Sequence, residues 1–483
     1  MDINSVALEE PFLQSSKTES FGGVDVRFPL FEASTVPDII RDARERAAGI
    51  FSRIPRTEIA EAMARVDNSF CDLASPEVRD IVDLLHRTDG FSLHDIERFG
   101  LGIFPPLVRY DRALIGRFVT KAFETRHPVE TAFGYLQRFG RNSIFRRWRE
   151  PSVLSHFVSG NVVGYSSILT RIGFPVRQAG AAQIIKLPSS SAVFPMIYLN
   201  QLAKISPPIR STIVCGYWRG GDRAIEDPVL VRSDAVNILG SDDTIDSVRG
   251  RLRSLGRRAT TLSHGHKVGF AYISREFSED PELREQVLEG LARDISAFDG
   301  AACYCPKNVF LQGNHRAFAE HLFDRLARLA GGASPVSPQA KTAGLGLRRI
   351  LLGLPNVLST PGGEAFVRVG DKAEFWFPDE THRYVQVMPV QDENEAASIV
   401  NGACPHLQTA VAAVPDGKIL PLLGLFGKAG VSNIHFPGSA PLLNVYEEPH
   451  DGDFDFIRIR FPYRVRFAAT NFKKNADWLC AKG

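Results

Sequence analysis

The sequence predicts an α/β protein, two parallel-sheet α/β domains with a helical N-terminal region. Two observations carry this. From Val153 onward, short apolar stretches alternate with amphipathic ones, the strand-then-helix rhythm of a parallel sheet covered on both faces. Ahead of them, from about Val36, apolar residues recur at helical spacing instead. A chain of 483 residues has room for two or three such domains.

Taken in order, residues 1–20 are polar and without periodicity, and a disordered leader is expected there. From Val36 to Phe145 the reading is helical. Ile39, Ile40, Ala43 and Ala47 share one face, as do Val78, Ile81, Val82 and Leu85, with breaks at Asn68-Ser69 and Ser75-Pro76. Strands are predicted at Ala182–Leu187, Ser211–Trp218, Ala235–Leu239 and Val268–Ile273. A helix follows Gly240-Ser241-Asp242 through Leu252. Asp280 caps a further helix with Pro281 at its first position, ending at Ser296. A strand at Asn308–Leu311 and a helix through Phe318, Leu322, Leu326 and Leu329 come next, and Ser334–Gly346 reads as linker.

Composition narrows the function classes. Lys and Arg number 57 against 55 Asp and Glu, a net charge of +2, which argues against a dedicated nucleic-acid binder. No apolar run reaches the ~18–20 residues of a membrane span, and no basic stretch followed by an apolar one marks a secretory signal. Six cysteines are too few for a disulfide scaffold, so a cytoplasmic protein with reduced thiols is expected.

Four segments carry candidate chemistry. In Phe298–Gly313 (FDGAACYCPKNVFLQG), small residues precede Cys303, leaving room for a carbonyl to approach the sulfur and for backbone N–H groups to face it. Cys305 is an equal candidate on this ground, and buried inert thiols are the plain alternative. A Cys-x-Cys zinc site lacks a second ligand pair, so no metal is expected. In His156–Gly164 (HFVSGNVVG), the Asn161 amide can donate to an oxyanion, though Gly-Asn is also ordinary turn chemistry. Lys186 ends a strand where it can reach a nucleotide, or it is a solvated charge. Gly240-Ser241 forms a strand-to-helix turn whose amides can receive a phosphate. Glycine-rich dinucleotide and P-loop fingerprints are absent.

In this order the segments resemble the aldehyde dehydrogenase superfamily, and most of all its acyl-CoA reductase branch of the LuxC type, from about Val153 to Gly430. The resemblance implies an aldehyde-dehydrogenase-like fold. Residues 21–150 would pack on an NADP(H)-binding domain at 151–274, followed by a catalytic domain at 275–440. The remainder, 441–483, would serve oligomerisation or return to the cofactor domain. It implies that Ser159-Gly160-Asn161-Val162 carries the oxyanion asparagine, Asn161, and that Lys186 approaches the adenosine ribose. Asn237–Ser241 would be the phosphate-side turn, with Gly240 and Ser241 at its tip. Trp218-Arg219-Gly220-Gly221-Asp222 resembles a stretch of the acyl-CoA reductase branch, and Cys303 stands at the nucleophile position.

Two departures from the hydrolytic relatives refine the expectation. Where those relatives place a glutamate that activates water, this chain has Ser263-His264-Gly265-His266-Lys267, without a carboxylate, so a thioacyl-enzyme would meet hydride before water. Where NAD-preferring relatives have a glutamate, Ser189 stands, which favours NADPH beside Lys186. The expected activity is NADPH-dependent reduction of a long-chain fatty acyl-CoA or acyl-carrier thioester to the aldehyde. His264 or His266 is a candidate for proton transfer. Homo-oligomers and an acyl-activating synthetase partner are implied by the resemblance. Basic clusters at Arg138, Arg141, Arg146, Arg147 and Arg149, and at Arg251, Arg253, Arg257 and Arg258, read as solvated helix faces or as a dock for CoA phosphates or an acidic carrier. The competing readings are a CoA-acylating aldehyde dehydrogenase working oxidatively, a non-catalytic acyl-binding subunit, and an acyltransferase using Cys303 alone.

Overall fold

The computed structural model describes residues 5–8, 10, 12–105, 108, 135–139, 142–149, 151–158, 180–188, 191–331, 356–377, 383–403, 406–440 and 461–468. The chain opens on a small sheet of β1 (Ser5–Ala7), β2 (Ser15–Phe21) and β3 (Val24–Leu30), in the order β1-β3-β2. This corrects the disordered leader expected over 1–20. Polar β2 covers a sheet edge and shows no apolar period, so only its pairing with β3 reveals it. The hairpin turns at Gly22, where a Cβ would stand 2.0 Å from the Arg87 carbonyl oxygen, so no other residue fits. Glu10 pins the segment down from beneath. Its buried carboxylate accepts from Arg210 at 2.9 Å and from the Cys215 N–H at 3.0 Å.

Helices α1 (Val36–Phe51), α2 (Arg56–Asn68) and α3 (Pro76–Asp89) follow, burying the apolar faces named above. Ser75 caps α3 by accepting from Val78 N–H, and Gly90 ends it in the left-handed region. The helical reading holds through the short helical turns of residues 93–103 and fails at 135–149. β4 (Tyr135–Phe139) and β5 (Asn142–Arg149) are strands, and β18 (Phe461–Ala468) pairs antiparallel with β5. Arg138, Arg146, Arg147 and Arg149 therefore lie on strands, not helix faces, and the C-terminal strand joins this hairpin, not the cofactor sheet. A pairing between residues so far apart in the chain leaves no local signal.

The first large sheet runs β10-β9-β6-β7-β8, all parallel: β6 (Val153–Phe157), β7 (Ala182–Lys186), β8 (Ile213–Gly216), β9 (Ala235–Leu239) and β10 (Thr260–His264). Helices α4 (Val193–Ile205), α5 (Arg223–Arg232) and α6 (Asp242–Ser254) connect its strands from β7 onward. Every residue of β6 is buried, as expected for a central strand covered on both faces.

The second sheet runs β13-β14-β15-β12-β11-β16-β17. Its strands are β11 (Val268–Ile273), β12 (Pro306–Leu311), β13 (Val357–Ser359), β14 (Phe366–Val369), β15 (Tyr384–Pro389), β16 (Leu407–Ala413) and β17 (Asn433–His435), with α7 (Pro281–Ser296), α8 (His315–Gly331), α9 (Glu393–Asn401) and α10 (Asp416–Lys428) between them. Only β13 with β14 is antiparallel. The chain changes sheets at Gly265–Lys267, ahead of the boundary expected at 274. β10 pairs with β9 and β11 with β12 and β16, a choice that the residues of these two neighbouring strands do not announce.

Candidate active site

Parallel strands β9, β6 and β7 lie side by side, so their C-terminal ends form one edge. Lys186 stands opposite Phe157, which stands opposite Ile238, and Gly240-Ser241 follow β9 directly. The chain leaves β6 for β7 and β8 on one side and returns to β9 and β10 on the other. This edge is therefore a topological switch point, where open α/β sheets bind nucleotides. The Lys186 ammonium lies 5.8 Å from the Trp218 ring centroid. Burial pushes its pKa down, and the Glu226 carboxylate pulls it back up. One Glu226 oxygen accepts from Trp218 Nε1 at 3.2 Å and from the Gly221 N–H at 3.0 Å. The Trp218–Asp222 stretch thus folds beside Lys186, with Gly221 at φ 81° and Asp222 capping α5. Ser241 caps α6, accepting from the Thr244 N–H at 3.3 Å.

These groups fit a reduced dinucleotide. Lys186 supplies positive charge, and the N-terminus of α6 supplies aligned amides. Asp242, in the first turn of α6, would repel phosphate but is engaged elsewhere. It accepts from the His266 N–H at 3.3 Å and faces His406 Nδ1 at 3.7 Å. Two of the expected site residues, Asn161 and Ser189, lie outside the described residues.

A short crossover, Gly265–Lys267, joins β10 to β11. Gly265 lets the Asp242 carboxylate close in: a Cβ there would stand 2.2 Å from one of its oxygens and push the side chain away. The Phe377 ring sits between His266 and His406, with centroid separations of 4.8 and 4.6 Å. His264 is buried at the end of β10. At the start of β11, Gly269 meets the Cys303 loop: a Cβ would lie 2.5 Å from the Tyr304 carbonyl oxygen. Gly269 is also the register partner of Pro306, which opens β12. The loop carrying Cys303 therefore stands at the N-terminal edge of the second sheet, one crossover away from the C-terminal edge of the first.

The two cysteines of this loop have different surroundings. Cys305 is buried, donates its S–H to the Ala297 carbonyl at 3.3 Å, and is pushed up to about 12 by burial. It is a sealed, protonated thiol. Cys303 is half-buried, and neither cysteine is in a disulfide. Tyr304 turns into the main core, where burial raises its hydroxyl pKa.

The sequence reading missed Lys307, buried in β12 and pushed down to about 8 by burial. It also missed Asp294 in α7, raised to about 7 by burial while accepting from the Gly438 N–H at 2.7 Å. A lysine inside an apolar strand, as in Pro306-Lys307-Asn308-Val309, was the available signal. Among the described residues, no group of three or more His, Cys, Asp or Glu is arranged to hold a metal, and no helix is long and apolar enough to cross a membrane.

Comparison with known proteins bears on this geometry. The family described as acyl-CoA reductase (LuxC) matches residues 132–461, more than half of the chain. The chain belongs to the LuxC acyl-CoA reductase family. Solved structures of aldehyde dehydrogenases share the fold of this LuxC-family reductase. A methylmalonate-semialdehyde dehydrogenase from Oceanimonas doudoroffii superposes with TM-score 0.71 at 14% identity, covering 94% of this chain and 95% of that one. Aldehyde dehydrogenase 21 from Physcomitrella patens, solved with the reaction product succinate, gives 0.71 at 12% identity over 96% and 98%. Delta-pyrroline-5-carboxylate dehydrogenase from Mycobacterium tuberculosis, bound with NAD and cobalamin, gives 0.69 at 13% over 96% and 90%. No curated protein matches the chain. At these identities the likeness speaks for the fold, and the family match carries acyl-CoA reduction to aldehyde, an oxidoreductase chemistry.

Proposed function

We infer that this LuxC-family protein reduces a long-chain fatty acyl thioester, on CoA or a carrier, to the aldehyde through a thioacyl intermediate on Cys303, using NADPH. The observation that supports this above others is the meeting of two edges. The half-buried Cys303 loop and the Lys186, Gly240-Ser241 edge are joined by a crossover that itself contains no carboxylate.

In this reading the Cys303 thiolate attacks the thioester carbonyl, the C–S bond to the carrier breaks, and the carrier thiol leaves with a proton. Asn161 and the Cys303 backbone N–H donate to the oxyanion, and loss of one such donor costs ~10²–10³ in rate. Lys186, Ser189, Gly240 and Ser241 hold the dinucleotide. Ser189 brings none of the negative charge that would repel a 2′-phosphate. Reduced nicotinamide, when bound, would supply the hydride that takes the acyl carbon to the aldehyde level; the Cys303 sulfur–carbon bond then breaks, releasing the aldehyde and returning the thiolate. Ser263–Lys267 offers no acid of its own to activate water against the thioester, and the neighbouring Asp242 carboxylate is turned to the His266 N–H and to His406. A cytoplasmic homo-oligomer fed by an acyl-activating synthetase completes the proposal.

The test is NADPH absorbance with acyl-CoA of decanoyl, tetradecanoyl and shorter chains, for wild type and Cys303→Ser. Wild-type oxidation of NADPH that falls at least ~10³-fold in the variant is expected. Acyl-labelled protein without NADPH consumption would instead mark an acyltransferase, and acyl binding with neither signal would mark a non-catalytic subunit.

A further inference from the structure

The residues leading into Cys303 adopt a backbone shape that side-chain-bearing residues resist. Phe298, Asp299 and Gly300 follow one another in the left-handed region, at φ 49°, 58° and 79°. Glycine enters this region freely and aspartate tolerates it, but phenylalanine does not. Such conformations persist only where the surroundings over-determine them, and they gather at functional sites.

The surroundings here are charged and buried. Asp299 faces Arg383 Nε at 3.4 Å, with side chains only 14% and 4% exposed. Arg383 stands at the entry to β15, its carbonyl accepting from the Phe366 N–H at 3.0 Å. Asp95, in the N-terminal region, is raised by its burial above all; Arg383 favours its charged form and Asp299 opposes it. Lys307, in β12, is pushed down by its burial, and the Asp299 carboxylate pulls it part of the way back up. The Phe298 ring meets Phe91 edge-on at 5.7 Å, and the Ala301 N–H donates to the Phe298 carbonyl at 2.9 Å. Asp299 and Arg383 thus meet at the turn that precedes the Cys303 loop, within electrostatic reach of Asp95 and Lys307. Neither Asp299 nor Arg383 has a part in the chemistry described above.

We propose that Asp299 and Arg383 are positioning residues for the nucleophile: their buried ion pair holds Phe298–Gly300 in the left-handed turn that sets where the Cys303 sulfur stands. The proposal rests on Cys303 as the nucleophile. Stability alone does not account for the pair, because burying two charges costs about as much as their attraction returns. Nor does it account for phenylalanine and aspartate in a turn that glycine would make without strain.

The experiment is alkylation of the full-length protein by iodoacetamide across pH, with each cysteine followed separately by peptide mass spectrometry. Asp299→Asn keeps the shape and the tolerance of the left-handed region but loses the charge; Arg383→Met loses the charge of the other partner. In each, Cys303 should react at least ~10-fold more slowly and with a displaced pH midpoint, while the rate at Cys71 stays as in wild type. The double variant Asp299→Asn/Arg383→Met removes both charges of the pair, so neither partner is left facing a neutral side chain. It should melt nearer to wild type than either single variant yet stay slow at Cys303, which separates the loss of the strut from a loss of fold. Arg383→Lys, keeping the charge, should recover the rate to within ~3-fold of wild type. A wild-type rate and pH profile at Cys303 in Asp299→Asn, or in the double variant should the single one not fold, overturns the proposal. Turnover surviving in Cys303→Ser would remove the nucleophile assignment instead, and the alkylation rates would still decide whether the pair governs this thiol.

Discussion

The two large sheets meet at one crossover but present opposite ends to it. The first offers the C-terminal ends of β7, β6 and β9, where Lys186 and Gly240-Ser241 stand, and its features are those of a charge-binding edge: a lysine, a helix N-terminus and a capping serine. The second offers the N-terminal ends of β11 and β12, where Gly269 and the Cys303 loop stand, and its features are closeness and burial. The difference teaches that, on the proposed function, recognition and bond-making would be divided between edges of opposite polarity. Substitutions on one side should change cofactor affinity, and substitutions on the other should change the thiol.

The sharpest way to break this division is Gly269→Ala. The added methyl must displace the Tyr304 carbonyl, so turnover should fall ~10²-fold and stability by ~1–3 kcal/mol, with the KM for the dinucleotide unchanged. Steady-state kinetics with both substrates checks it, and an equal rise in that KM would mean the edges are not separate. Lys186→Ala should do the reverse, raising the dinucleotide KM ~10-fold while leaving the rate of Cys303 acylation by acyl-CoA intact.

A smaller effect distinguishes the two halves by pH. Burial lifts both Asp89, beside Ser191 near the cofactor edge, and Asp294, beside Gly438 near the nucleophile, to about 7. The folded state then keeps protons that the unfolded chain releases from about pH 4 upward, so stability is lost as pH rises through ~7. Thermal melting at pH 6 and pH 8 should show the loss, and Asp89→Asn and Asp294→Asn should each flatten it. A slope unchanged in both would mean that neither carboxyl is proton-bound in the fold. The mildest expected change is Cys305→Ser, whose hydroxyl can keep the bond to the Ala297 carbonyl; turnover should stay within ~3-fold of wild type. A loss as deep as that of Cys303→Ser would exchange the roles of the two sulfurs.

Much of this architecture was legible locally. Strands Ala182–Lys186, Ala235–Leu239 and Val268–Ile273 are apolar runs with turn residues at their ends, and α7 starts where Asp280-Pro281 supply a cap and a first helical residue. Cys303 stood out for its small neighbours. The polar strand β2 and the pairing of β5 with β18 did not show, because a strand's polar edge and a distant partner leave no period in the nearby residues. The choice between Cys303 and Cys305 was equally out of reach, since the two sit side by side in one loop and differ only in what surrounds them.

The sequence by itself determined most of the order of strands and helices from Ala182 to Leu329, helix caps and the short list of reactive side chains, because periodicity, capping and residue chemistry act over a few neighbours. Only the tertiary structure decided which sheet each strand entered, which sulfur was sealed in the core and which charges met beneath the turn at Asp299. Those outcomes depend on burial and on contacts between residues up to hundreds of positions apart, and both exist only once the chain has closed on itself.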